Sequence, residues 1–582
     1  MPSLKGTSQI PQELLDLRAQ GVSELSDFCE SYRQYIIDEV LQHGGHFSAN
    51  LGTIELTVAL HYVLNTPNDQ LIWDVGHQAY LHKILTGRKA NFHSIRKKDG
   101  ISGFPKQSES AFDVFGTGHS STSISAALGL AEADKLLGIK REHVAVIGDG
   151  SLTGGMAWEA LNNAAHSDTN VLIIINDNQM GIDPNAGALN QYLNNLADRS
   201  NFFTDLGFDF HQTKDGHDVE ALVAKLKSIT PIQKPTVWHI KTIKGKGYQP
   251  AESEQTKWHA VKYVKIDEEE KPQSGDKFQT VFGQTLLDLA KQNDKIVGIT
   301  PAMPSGSSMN IMMQQMPDRC FDVGIAEQHA VTFSAGLATN GLIPFCNVYS
   351  TFFQRAYDQV IHDVCLQNLH VVFCLDRAGV VGEDGPTHHG VFDIAFLRCI
   401  PNLTIMAPSD ALELRNMMFT ATKIKHPVAI RYPKGQGPDV EWEKPFEDIP
   451  LGKGRWMRQG TNICIVAVGT MVQTAMDAAN LLTEEDISVS VVDARFIKPL
   501  DTELLDHVFD QHQTVVTIED GCRTAGFGSA VIEYAQEKDV HVNIHVLGYP
   551  DEFVNHASRE ELLAEYGLDV TGLAQHIRTI LP

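Results

Sequence analysis

Short runs of apolar residues alternate along the chain with stretches in which apolar positions recur at helical spacing. Two early runs, residues 144–147 and 171–175, flank a helical stretch around 156–166. Uninterrupted Val, Ile and Leu runs separated by helices are typical of parallel sheets covered on both faces. The pattern predicts an α/β protein in which this arrangement occurs about three times. The further runs are 295–299, 343–348, 371–375, 403–406, 428–431, 463–468, 489–492, 515–518 and 542–546.

Two polar stretches interrupt this alternation and indicate linkers. Residues 266–277 combine charged side chains with Pro, Ser and Gly, and residues 432–451 are rich in Pro, Gly and acidic side chains. We therefore divide the chain into three domains, 1–272, 273–445 and 446–582. Because no short-period repeat is present, a solenoid or a propeller is not expected.

The composition narrows the classes of function. Asp and Glu outnumber Lys and Arg by 72 to 47, a net charge of −25, which argues against general binding of nucleic acids or anionic membranes. No apolar run approaches the roughly 20 residues of a membrane-spanning helix. The N-terminus lacks the pattern of a secretory signal or a transit peptide, so we expect a cytoplasmic protein. The eight cysteines form no CxxC pair, so neither a zinc site nor a disulfide framework is expected.

A glycine-rich segment, GDGSLTGG from Gly148, follows one predicted strand, and the next strand ends in NDNQM. Asp149 and Asn178 then lie at the carboxyl ends of successive parallel strands, where open α/β sheets bind ligands. Their oxygens, with the backbone carbonyl of Met180, are the hard donors that Mg²⁺ prefers beside phosphates, and Gly150 permits close approach of the backbone. Each motif alone is common as a tight turn or an Asx turn. Together, at this spacing, they resemble the thiamine diphosphate motif.

The stretch FGTGHSS, residues 115–121, precedes a predicted helix from about Ser123. A glycine-rich turn at a helix N-terminus offers donors to a phosphate, here through Gly118, His119 and Ser120. On this stretch alone, an ordinary serine N-cap is the favoured interpretation.

Glu327, in the segment FDVGIAEQHA, stands at the head of a predicted helix that runs through Ala338. An acid there interacts favourably with the helix dipole, which is a purely structural role. In thiamine diphosphate enzymes a Glu bonds the pyrimidine ring and promotes the imino tautomer that deprotonates the thiazolium carbon. A dry pocket would raise the pKa of Glu327, and the helix terminus would lower it.

Over nearly its whole length, the chain resembles the 1-deoxy-D-xylulose-5-phosphate synthases, a family of transketolase-like thiamine diphosphate enzymes. Several matching stretches are long, and they separate this family from transketolase and the pyruvate dehydrogenase first component better than the cofactor motif does. They are QLIWDVGHQAY from Gln70, HKILTG from His82, the GDG and NDN pair, DVGIAEQH from Asp322, YSTF from Tyr349, QRAYDQ from Gln354, DRAG from Asp376 and IRYP from Ile430.

The resemblance implies a transketolase-like fold, a homodimer, and the cofactors thiamine diphosphate and Mg²⁺. It implies condensation of pyruvate with D-glyceraldehyde 3-phosphate, with loss of CO₂, to 1-deoxy-D-xylulose 5-phosphate. An enamine would form on the cofactor, which acts as the electron sink. The product would feed isoprenoid, thiamine and pyridoxal synthesis. Two other hypotheses stay open: a transketolase or another thiamine-dependent 2-ketoacid carboligase, and a catalytically idle paralogue that still binds the cofactor.

The family's site residues carry over position by position, and histidines among them suit proton transfer near neutral pH. The implied catalytic residues are Glu327, His46, His77, His388 and Asp384. The implied cofactor-binding residues are His77, Gly118, His119, Ser120, Asp149, Gly150, Ser151, Asn178, Lys246, Glu327 and Phe352. The implied substrate-binding residues are His46, Tyr349, Arg355, Arg377, His259 and Arg431, and the metal ligands are Asp149, Asn178 and the Met180 carbonyl.

Several of these residues also have plain structural interpretations. Arg377 and Arg431 lie at or near the carboxyl ends of apolar strands, where a guanidinium fits a phosphate or equally pairs with an acid at the sheet edge. Phe352 would stack on the cofactor, although a core aromatic is the default. Lys246 would approach the diphosphate, and a solvated Lys pair with Lys244 is an equal alternative.

The chain departs from the family pattern in three places. The span from Asn178 to the DGHD stretch at 215–218 is short where relatives carry a flexible flap, so access and closure are expected to change. Gly181 stands where relatives often have Ser, and PTHH at 386–389 replaces the usual QTHQ. The last domain carries no family catalytic residue that can be placed, so packing and dimerisation are expected of it.

Overall fold

The computed structural model describes residues 10–196, 200–262 and 275–581. Within them the chain forms two compact units. Unit 1 comprises the described residues up to 262 together with Gly324–Ala326, and unit 2 comprises the described residues from 275 onward without those three. Most of the expected linker at 266–277, with the division at 272, lies outside the described residues.

Unit 1 is built on a parallel sheet. Its described strands are β1 (Gly45–His46), β2 (Gln70–Trp73), β3 (His143–Gly148), β4 (Val171–Asp177), β5 (Asp209–Thr213), β6 (Thr236–Lys241) and β7 (Ala260–Val261). Strands β2 to β6 form the sheet in the order β2-β3-β4-β6-β5, all parallel, and β1 pairs antiparallel with β7. The central strand β4, VLIIIND, is buried along its whole length, as expected for a strand covered on both faces.

Helices cover both faces of this sheet. They are α1 (Gln12–Ala19), α2 (Leu25–His43), α3 (Ser48–Leu51), α4 (Ile54–Val63), α5 (Tyr80–Lys83), α6 (Ser123–Leu137), α7 (Gly155–His166), α8 (Ala188–Asn194), α9 (Phe202–Leu206), α10 (Val219–Ile229) and α11 (Gln249–Ser253). Alternate residues of β3 and β4 point to opposite faces. Val144 and Ile174 therefore belong to one hydrophobic core, with α2, α4 and α10, while Ala145 and Ile173 belong to another, with α6 and α7.

Unit 2 contains two further sheets. Its described strands are β8 (Ile296–Thr300), β9 (Cys320–Asp322), β10 (Ile343–Tyr349), β11 (Val372–Ala378), β12 (Thr404–Met406), β13 (Val428–Pro433), β14 (Arg455–Arg458), β15 (Ile463–Ala467), β16 (Val489–Asp493), β17 (Phe496–Lys498), β18 (Thr514–Cys522) and β19 (Asn543–Tyr549). The larger sheet has the order β17-β12-β13-β11-β10-β8-β9, and the smaller has the order β14-β16-β15-β18-β19. Both are parallel except at one edge each, where β17 and β14 run antiparallel to their neighbours.

The helices of unit 2 connect these strands. One hydrophobic core holds Ile405 and Ala429 of the larger sheet together with Val466 and Val492 of the smaller. The α-helices are α12 (Phe278–Gln292), α13 (Asn310–Gln315), α14 (Glu327–Thr339), α15 (Ser350–Phe353), α16 (Tyr357–Gln359), α17 (Asp393–Arg398), α18 (Ala411–Ala421), α19 (Met471–Thr483), α20 (Thr502–Gln511), α21 (Phe527–Glu537), α22 (Arg559–Glu565) and α23 (Val570–Ile580).

The observed architecture confirms the predicted fold class. Every predicted strand is present and begins within one residue of its expected start, although some strands extend up to four residues beyond the expected end. Three mainly parallel sheets carry helices on their faces. The expected linker at 432–451 was wrong in part. Tyr432 and Pro433 close β13, and Trp442 and Ile449 are buried in the core of unit 2. Apolar side chains spaced along an irregular segment were enough to pack it against the sheet.

The helices were also compared with the length and hydrophobicity that a membrane span requires. In the described parts of the chain, no helix is both long and apolar enough to span a bilayer.

A buried ion cluster in unit 1 gives a stability prediction. Asp113 accepts from Arg88 through both carboxylate oxygens (2.6 and 2.9 Å) and lies 2.9 Å from His82 Nε2. Burial alone would raise the pKa of Asp113, but His82 and Arg88 outweigh it and hold the pKa well below its ordinary value. A carboxyl with a depressed pKa in the folded state stabilises the fold above its unfolded pKa, near 3.9, and loses that contribution as the pH falls.

Replacing Asp113 by Asn is expected to lower the free energy of unfolding at pH 7 by about 3 kcal/mol, because Arg88 is left buried without its counter-charge. Denaturant titrations at pH 7 and at acidic pH would show a smaller loss of stability on acidification in D113N than in wild type. Asp168, an exposed acid, serves as the control in D168N. A D113N protein as stable as wild type at pH 7 would contradict the prediction.

Candidate active site

Asp149 and Asn178 follow neighbouring strands of the unit 1 sheet. In the register of β3 and β4, Gly148 lies opposite Asn176, so both strands end at the same edge. The Asp149 N–H donates to the Asn176 carbonyl (3.2 Å). Asn178 Oδ1 accepts from the N–H of Met180 (3.0 Å), which forms an Asx turn. The structure therefore brings the expected metal ligands to one edge of the sheet.

The Asp149 carboxylate is buried beside a second carboxylate, that of Asp177. Burial, and then Asp177, raise the pKa of Asp149 well above its ordinary value, while the N–H groups of Gln179 and Asn178 oppose the shift. Asn185 Nδ2 donates to Asp149 Oδ2 at 2.7 Å. Two buried carboxyls side by side favour a bound positive charge.

His239 fixes the second carboxylate. Its Nδ1 lies 3.0 Å from the Gln212 amide nitrogen, which can only donate, so its Nε2 carries the proton and donates to Asp177 Oδ2 at 2.8 Å. Both His239 and Asp177 are fully buried. The hydrogen bond from His239 therefore holds the orientation of the Asp177 carboxylate.

The lysines of the KGKG stretch differ from one of the two interpretations of the sequence, the solvated pair. Lys244 is buried, and its Nζ donates to the carbonyl of Gly181 at 2.5 Å. Burial lowers the pKa of Lys244 to about 8, against the opposing effects of Asp149 and Asp183. Lys246 is only half-buried, and its carbonyl accepts from Arg33. Lys244, rather than Lys246, is therefore the cation beside Asp149.

An open cleft of about 400 Å³ adjoins this edge of the sheet. In the part of the chain that the structure describes, no group of three or more His, Cys, Asp or Glu side chains is placed to hold a metal ion. A magnesium site here depends on one carboxylate with amide and carbonyl oxygens. The cleft is lined by Asn178, Gln179, Met180, Pro184, Asn190, Thr242, Ile243 and Gln255.

The glycine-rich turn before α6 is held by Asp74 rather than by a serine cap. Asp74 is buried and accepts from the N–H groups of Ser121 (2.7 Å) and Ser123 (2.9 Å). Thr122, the N-cap residue, makes no side-chain capping bond. Ser121 Oγ donates to the carbonyl of Ser151 at 2.7 Å. The turn with Gly118, His119 and Ser120 is thereby attached to the segment that follows Asp149.

Three of the expected histidines contact one another. The ring centroids of His46 and His77 are 5.5 Å apart, those of His46 and His259 are 5.7 Å apart, and those of His77 and His259 are 5.3 Å apart. The N–H of Phe47 donates to the His259 carbonyl (3.0 Å), which ties the strand pair β1 and β7 together beyond its last residues. The fold of unit 1 therefore brings His46 into contact with His259, more than 200 residues away in the sequence.

In unit 2, Glu327 begins α14, as expected, and is buried. Burial raises the pKa of Glu327, against the smaller opposing effect of Arg355. The sequence left open whether burial or the helix terminus determines the pKa of Glu327. The raised pKa indicates that burial is the larger effect.

Aromatic and cationic side chains cluster at the ends of β10 and β11. The rings of Tyr349 and Phe352 are stacked at 5.8 Å, and Phe352 meets His388 edge-on at 5.4 Å. The Arg377 guanidinium lies over the Tyr349 ring at 4.2 Å and pairs with Asp376. Four of the residues expected to contact cofactor or substrate therefore form one cluster.

The segment 379–390 carries Asp384 and His388. Thr387 Oγ1 donates to the Asp384 carbonyl (3.2 Å) and lies 2.8 Å from His388 Nδ1. Thr351 Oγ1 donates to the Thr387 carbonyl at 3.2 Å. The segment is thus attached to the helix α15 that bears Phe352.

Arg431 is buried and already engaged. Its Nε donates to Asp393 Oδ2 (2.9 Å) and its Nη2 to the main-chain carbonyl of Asp520 (2.9 Å). Among the described residues its Nη1 has no hydrogen-bond partner. The structural alternative, pairing with an acid, is thus present, and one nitrogen remains for a ligand.

The chain enters α14 from unit 1. The N–H of Ile325 donates to Thr153 Oγ1 at 2.9 Å, within unit 1. Glu327 is the second residue after Ile325 along the chain.

Comparison with known proteins decides the family. Residues 8–202 match the family model of 1-deoxy-D-xylulose-5-phosphate synthase. A protein of that name from Cytophaga hutchinsonii is 51% identical, over 97% of each chain, and one from Bacteroides fragilis is 48% identical, over 96% of this chain and 94% of its own. The chain belongs to the 1-deoxy-D-xylulose-5-phosphate synthase family. Like the family, it is a thiamine diphosphate-dependent transferase.

The rest of the chain matches transketolase domains. Residues 277–439 match the transketolase pyrimidine-binding domain, and 452–573 match the transketolase C-terminal domain. A solved split-gene transketolase is 31% identical over 52% of this chain and 98% of its own, with a TM-score of 0.48. The transketolase from Campylobacter jejuni is 18% identical over 96% of this chain and 100% of its own, with a TM-score of 0.45.

The alignment with the Cytophaga relative also bears on chain length. It extends over 616 positions, more than the 582 residues of this synthase-family chain, so the relative carries residues that this chain lacks. The short span between Asn178 and Asp215 holds α8 and α9 in the described parts. Its expected effect on access stays a prediction.

The residues of unit 1 fit the family's cofactor. Among the described residues, the Oγ of Ser48 and the Oγ1 of Thr117 are buried and have no hydrogen-bond partner. Buried hydroxyls are normally hydrogen-bonded, so these two suit a polar ligand beside the histidines and the glycine-rich turn. A Cβ at Gly150 would lie 3.0 Å from Asn185 Oδ1, so a larger residue would crowd Asp149. Asp149, Asn178 and the nearby carbonyl form an all-oxygen donor set that suits Mg²⁺.

Several residues of this site escaped the sequence analysis. Asp74, His239 and Lys244 act on this site from other parts of unit 1, and Asp177 does so from the end of β4. Asp177 stands inside the NDN motif, Asp74 inside the stretch from Gln70, and Lys244 beside Lys246, but no spacing rule connected any of them to its partner.

Proposed function

We propose that this chain condenses pyruvate with D-glyceraldehyde 3-phosphate, with loss of CO₂, to give 1-deoxy-D-xylulose 5-phosphate. The carrying observation is that Asp149 and Asn178 share one sheet edge beside a buried carboxyl pair, in a chain about half identical to proteins of that synthase name. The product would enter isoprenoid, thiamine and pyridoxal synthesis.

Unit 1 would hold the diphosphate and the metal ion. Asp149, Asn178 and the Met180 carbonyl would bind Mg²⁺, and the turn with Gly118 and Ser120 would donate to phosphate oxygens. The other residues proposed for cofactor binding are His77, His119, Gly150, Ser151 and Lys246 of unit 1, and Glu327 and Phe352 of unit 2. Thiamine diphosphate, when bound, supplies the nucleophilic carbon and the electron sink.

Protons would move on the histidines and carboxyls. The clustered His46, His77 and His259 would hold protons beside the reacting carbonyl oxygens. His388 and Asp384, joined through Thr387, would face the hydroxyl of the aldehyde. Glu327, buried and with a raised pKa, would keep its proton for the cofactor ring.

The aldehyde's phosphate would bind to the arginines of unit 2. Arg431 has Nη1 available, and Arg377 presents its guanidinium across Tyr349. Arg355, whose charge acts on Glu327, would assist substrate binding together with Tyr349. Guanidinium groups suit phosphate because their donors match its oxygens.

We further propose the domain limits 1–272, 273–445 and 446–582, a homodimer, and a cytoplasmic location without nucleic-acid or membrane partners. The composition and the family support these proposals.

The deciding experiment is an assay of the purified protein with Mg²⁺ and thiamine diphosphate. Pyruvate with D-glyceraldehyde 3-phosphate is expected to give CO₂ and 1-deoxy-D-xylulose 5-phosphate. Xylulose 5-phosphate with a pentose acceptor is expected to give no ketol transfer, and faster turnover of that pair would favour a transketolase. Cofactor binding without turnover of either pair would identify an idle paralogue.

Arg431→Ala is expected to raise the KM for the phosphorylated aldehyde by about 100-fold while the KM for pyruvate changes little, because a buried charged partner of the phosphate is lost. Steady-state kinetics with each substrate varied in turn would measure the two constants. Arg495→Ala removes a half-buried arginine, which pairs with Glu413, and controls for the loss of an arginine ion pair. Equal rises in both constants would reject the phosphate-anchor role.

A further inference from the structure

Asp520, in the C-terminal segment 446–582, joins several parts of unit 2. Its Oδ1 accepts from Tyr549 Oη (2.9 Å) and from the N–H of Val380 (3.3 Å), and its Oδ2 accepts from Arg559 Nη2 (2.6 Å). Its main-chain carbonyl accepts from Arg431 Nη2 at 2.9 Å. One buried residue therefore contacts both the expected phosphate anchor and the segment that carries Asp384 and His388.

The approach at this point is close enough to require glycine. Gly379 has a φ of +74°, and a Cβ there would lie 2.1 Å from Asp520 Oδ2. Gly379 and Gly390 exchange two main-chain hydrogen bonds, of 2.9 and 2.7 Å, which close the base of the segment 379–390. Asp520 therefore contacts this segment at its base, where a shift moves the whole loop.

Other residues of the C-terminal segment hold the same loop. His389 Nε2 donates to the Asn555 carbonyl (3.1 Å), and its Nδ1 accepts from the N–H of Val381 (3.1 Å). Burial lowers the pKa of His389 to about 4, so the ring is neutral and both bonds keep these directions. The N–H of Cys522 donates to the Val391 carbonyl at 2.8 Å, just after the loop ends.

Asp520 also contacts residues on or directly after two neighbouring strands, β13 and β11. Arg431 lies on β13 opposite Leu375 of β11, and β11 leads directly into the loop. Asp393 receives the other bond of Arg431. Because Asp520 binds Arg431 and Val380 at once, it fixes the distance between the guanidinium and the loop.

We propose that Asp520 is a positioning residue for the phosphorylated substrate. It sets Arg431 and the loop 379–390 in the relative position that binds the aldehyde's phosphate and hydroxyl at the same time. This inference rests on the proposed function, and it gives the C-terminal segment a part in substrate selection beyond the packing expected from the sequence. Arg559 and Tyr549 hold the carboxylate in place and balance its buried charge.

The test compares Asp520→Ala with Asp520→Asn and with a matched control. In D520A the KM for D-glyceraldehyde 3-phosphate is expected to rise at least about tenfold, with the KM for pyruvate within about twofold. D520N keeps an acceptor at Oδ1 and is expected to fall between D520A and wild type. Asp506, which accepts from Tyr534 Oη at 2.7 Å in the same segment, gives the control D506A, with both constants unchanged.

Amide hydrogen exchange supplies a readout apart from activity. The N–H groups of Val380 and Val381 are expected to exchange faster in D520A than in wild type and D506A, while the strands of the smaller sheet keep their protection. If D520A does not fold, D520N carries the same comparison.

The outcomes separate the two proposals. An inactive wild-type enzyme rejects the proposed function and the inference with it. An active wild type whose D520A and D520N variants raise both KM values equally, or leave exchange at Val380 unchanged, rejects the inference alone.

Discussion

Replacing Glu327 by alanine is expected to reduce turnover by about 10³-fold while the fold and the binding of Mg²⁺ and thiamine diphosphate persist, because the lost group acts on protons rather than on affinity. Glu327 is buried at the start of α14, and burial raises its pKa against the effect of Arg355. Product formation with pyruvate and the triose phosphate, together with calorimetric titration of the cofactor, would measure both quantities. Product formation at the wild-type rate would overturn the assignment.

The conservative variant Glu327→Gln keeps the shape of the side chain but removes its exchangeable carboxyl proton. It is expected to be as inactive as the alanine variant, because an amide cannot release and regain the proton. It also carries a stability signature. A carboxyl whose pKa is raised by folding loses stability as the pH rises through the interval above its unfolded pKa, near 4.3. E327Q lacks that loss, so it is expected to unfold at a higher denaturant concentration than wild type at neutral pH.

Asp149→Asn is expected to weaken Mg²⁺-dependent cofactor binding by at least about 100-fold, because a neutral amide replaces the one carboxylate of the proposed donor set. Titration of the protein with Mn²⁺ or Mg²⁺ in the presence of thiamine diphosphate would measure it. Exposed Asp168 again offers a control, in D168N. Unchanged metal affinity in D149N would exclude Asp149 as a ligand.

The same substitution is expected to stabilise the metal-free protein. Asp149 is buried against Asp177, and both effects raise its pKa, so its ionisation lowers the stability of the folded state as the pH rises above the unfolded pKa, near 3.9. Thermal unfolding without metal should therefore occur at a higher temperature in D149N than in wild type. Gain of stability with loss of metal binding is the combination that a purely structural acid would not give.

The sequence predicted the fold where the period of apolar residues is unambiguous. β4 reads as an apolar run because both of its faces are covered, and its neighbours place Asp149 and Asn178 at one edge by topology alone. β14 and β17 escaped notice because they are short edge strands, half-exposed in part, without such a run. A period of two or of 3.6 residues in the apolar positions indicates a strand or a helix, but it does not indicate which other elements pack beside it.

The residues of the candidate site also fall into those that the sequence could identify and those that it could not. Residues inside family motifs, such as His46, His77 and His259, could be named from the sequence, and the structure brings their rings together. Asp74 and Asp520 could not be named, because each acts through a fold that joins it to a partner 47 or 140 residues away. Capping a distant turn or holding a distant loop leaves no local pattern.

The strand β17 has a consequence for how the gene could be divided. It belongs to the C-terminal segment but completes the edge of the larger sheet against β12. A polypeptide that stopped near residue 445 would leave the backbone donors and acceptors of β12 open, and an open edge invites pairing with other chains. Splitting this chain into two separately translated products would therefore require both to be made together, since the longer one, which carries β12, would aggregate alone.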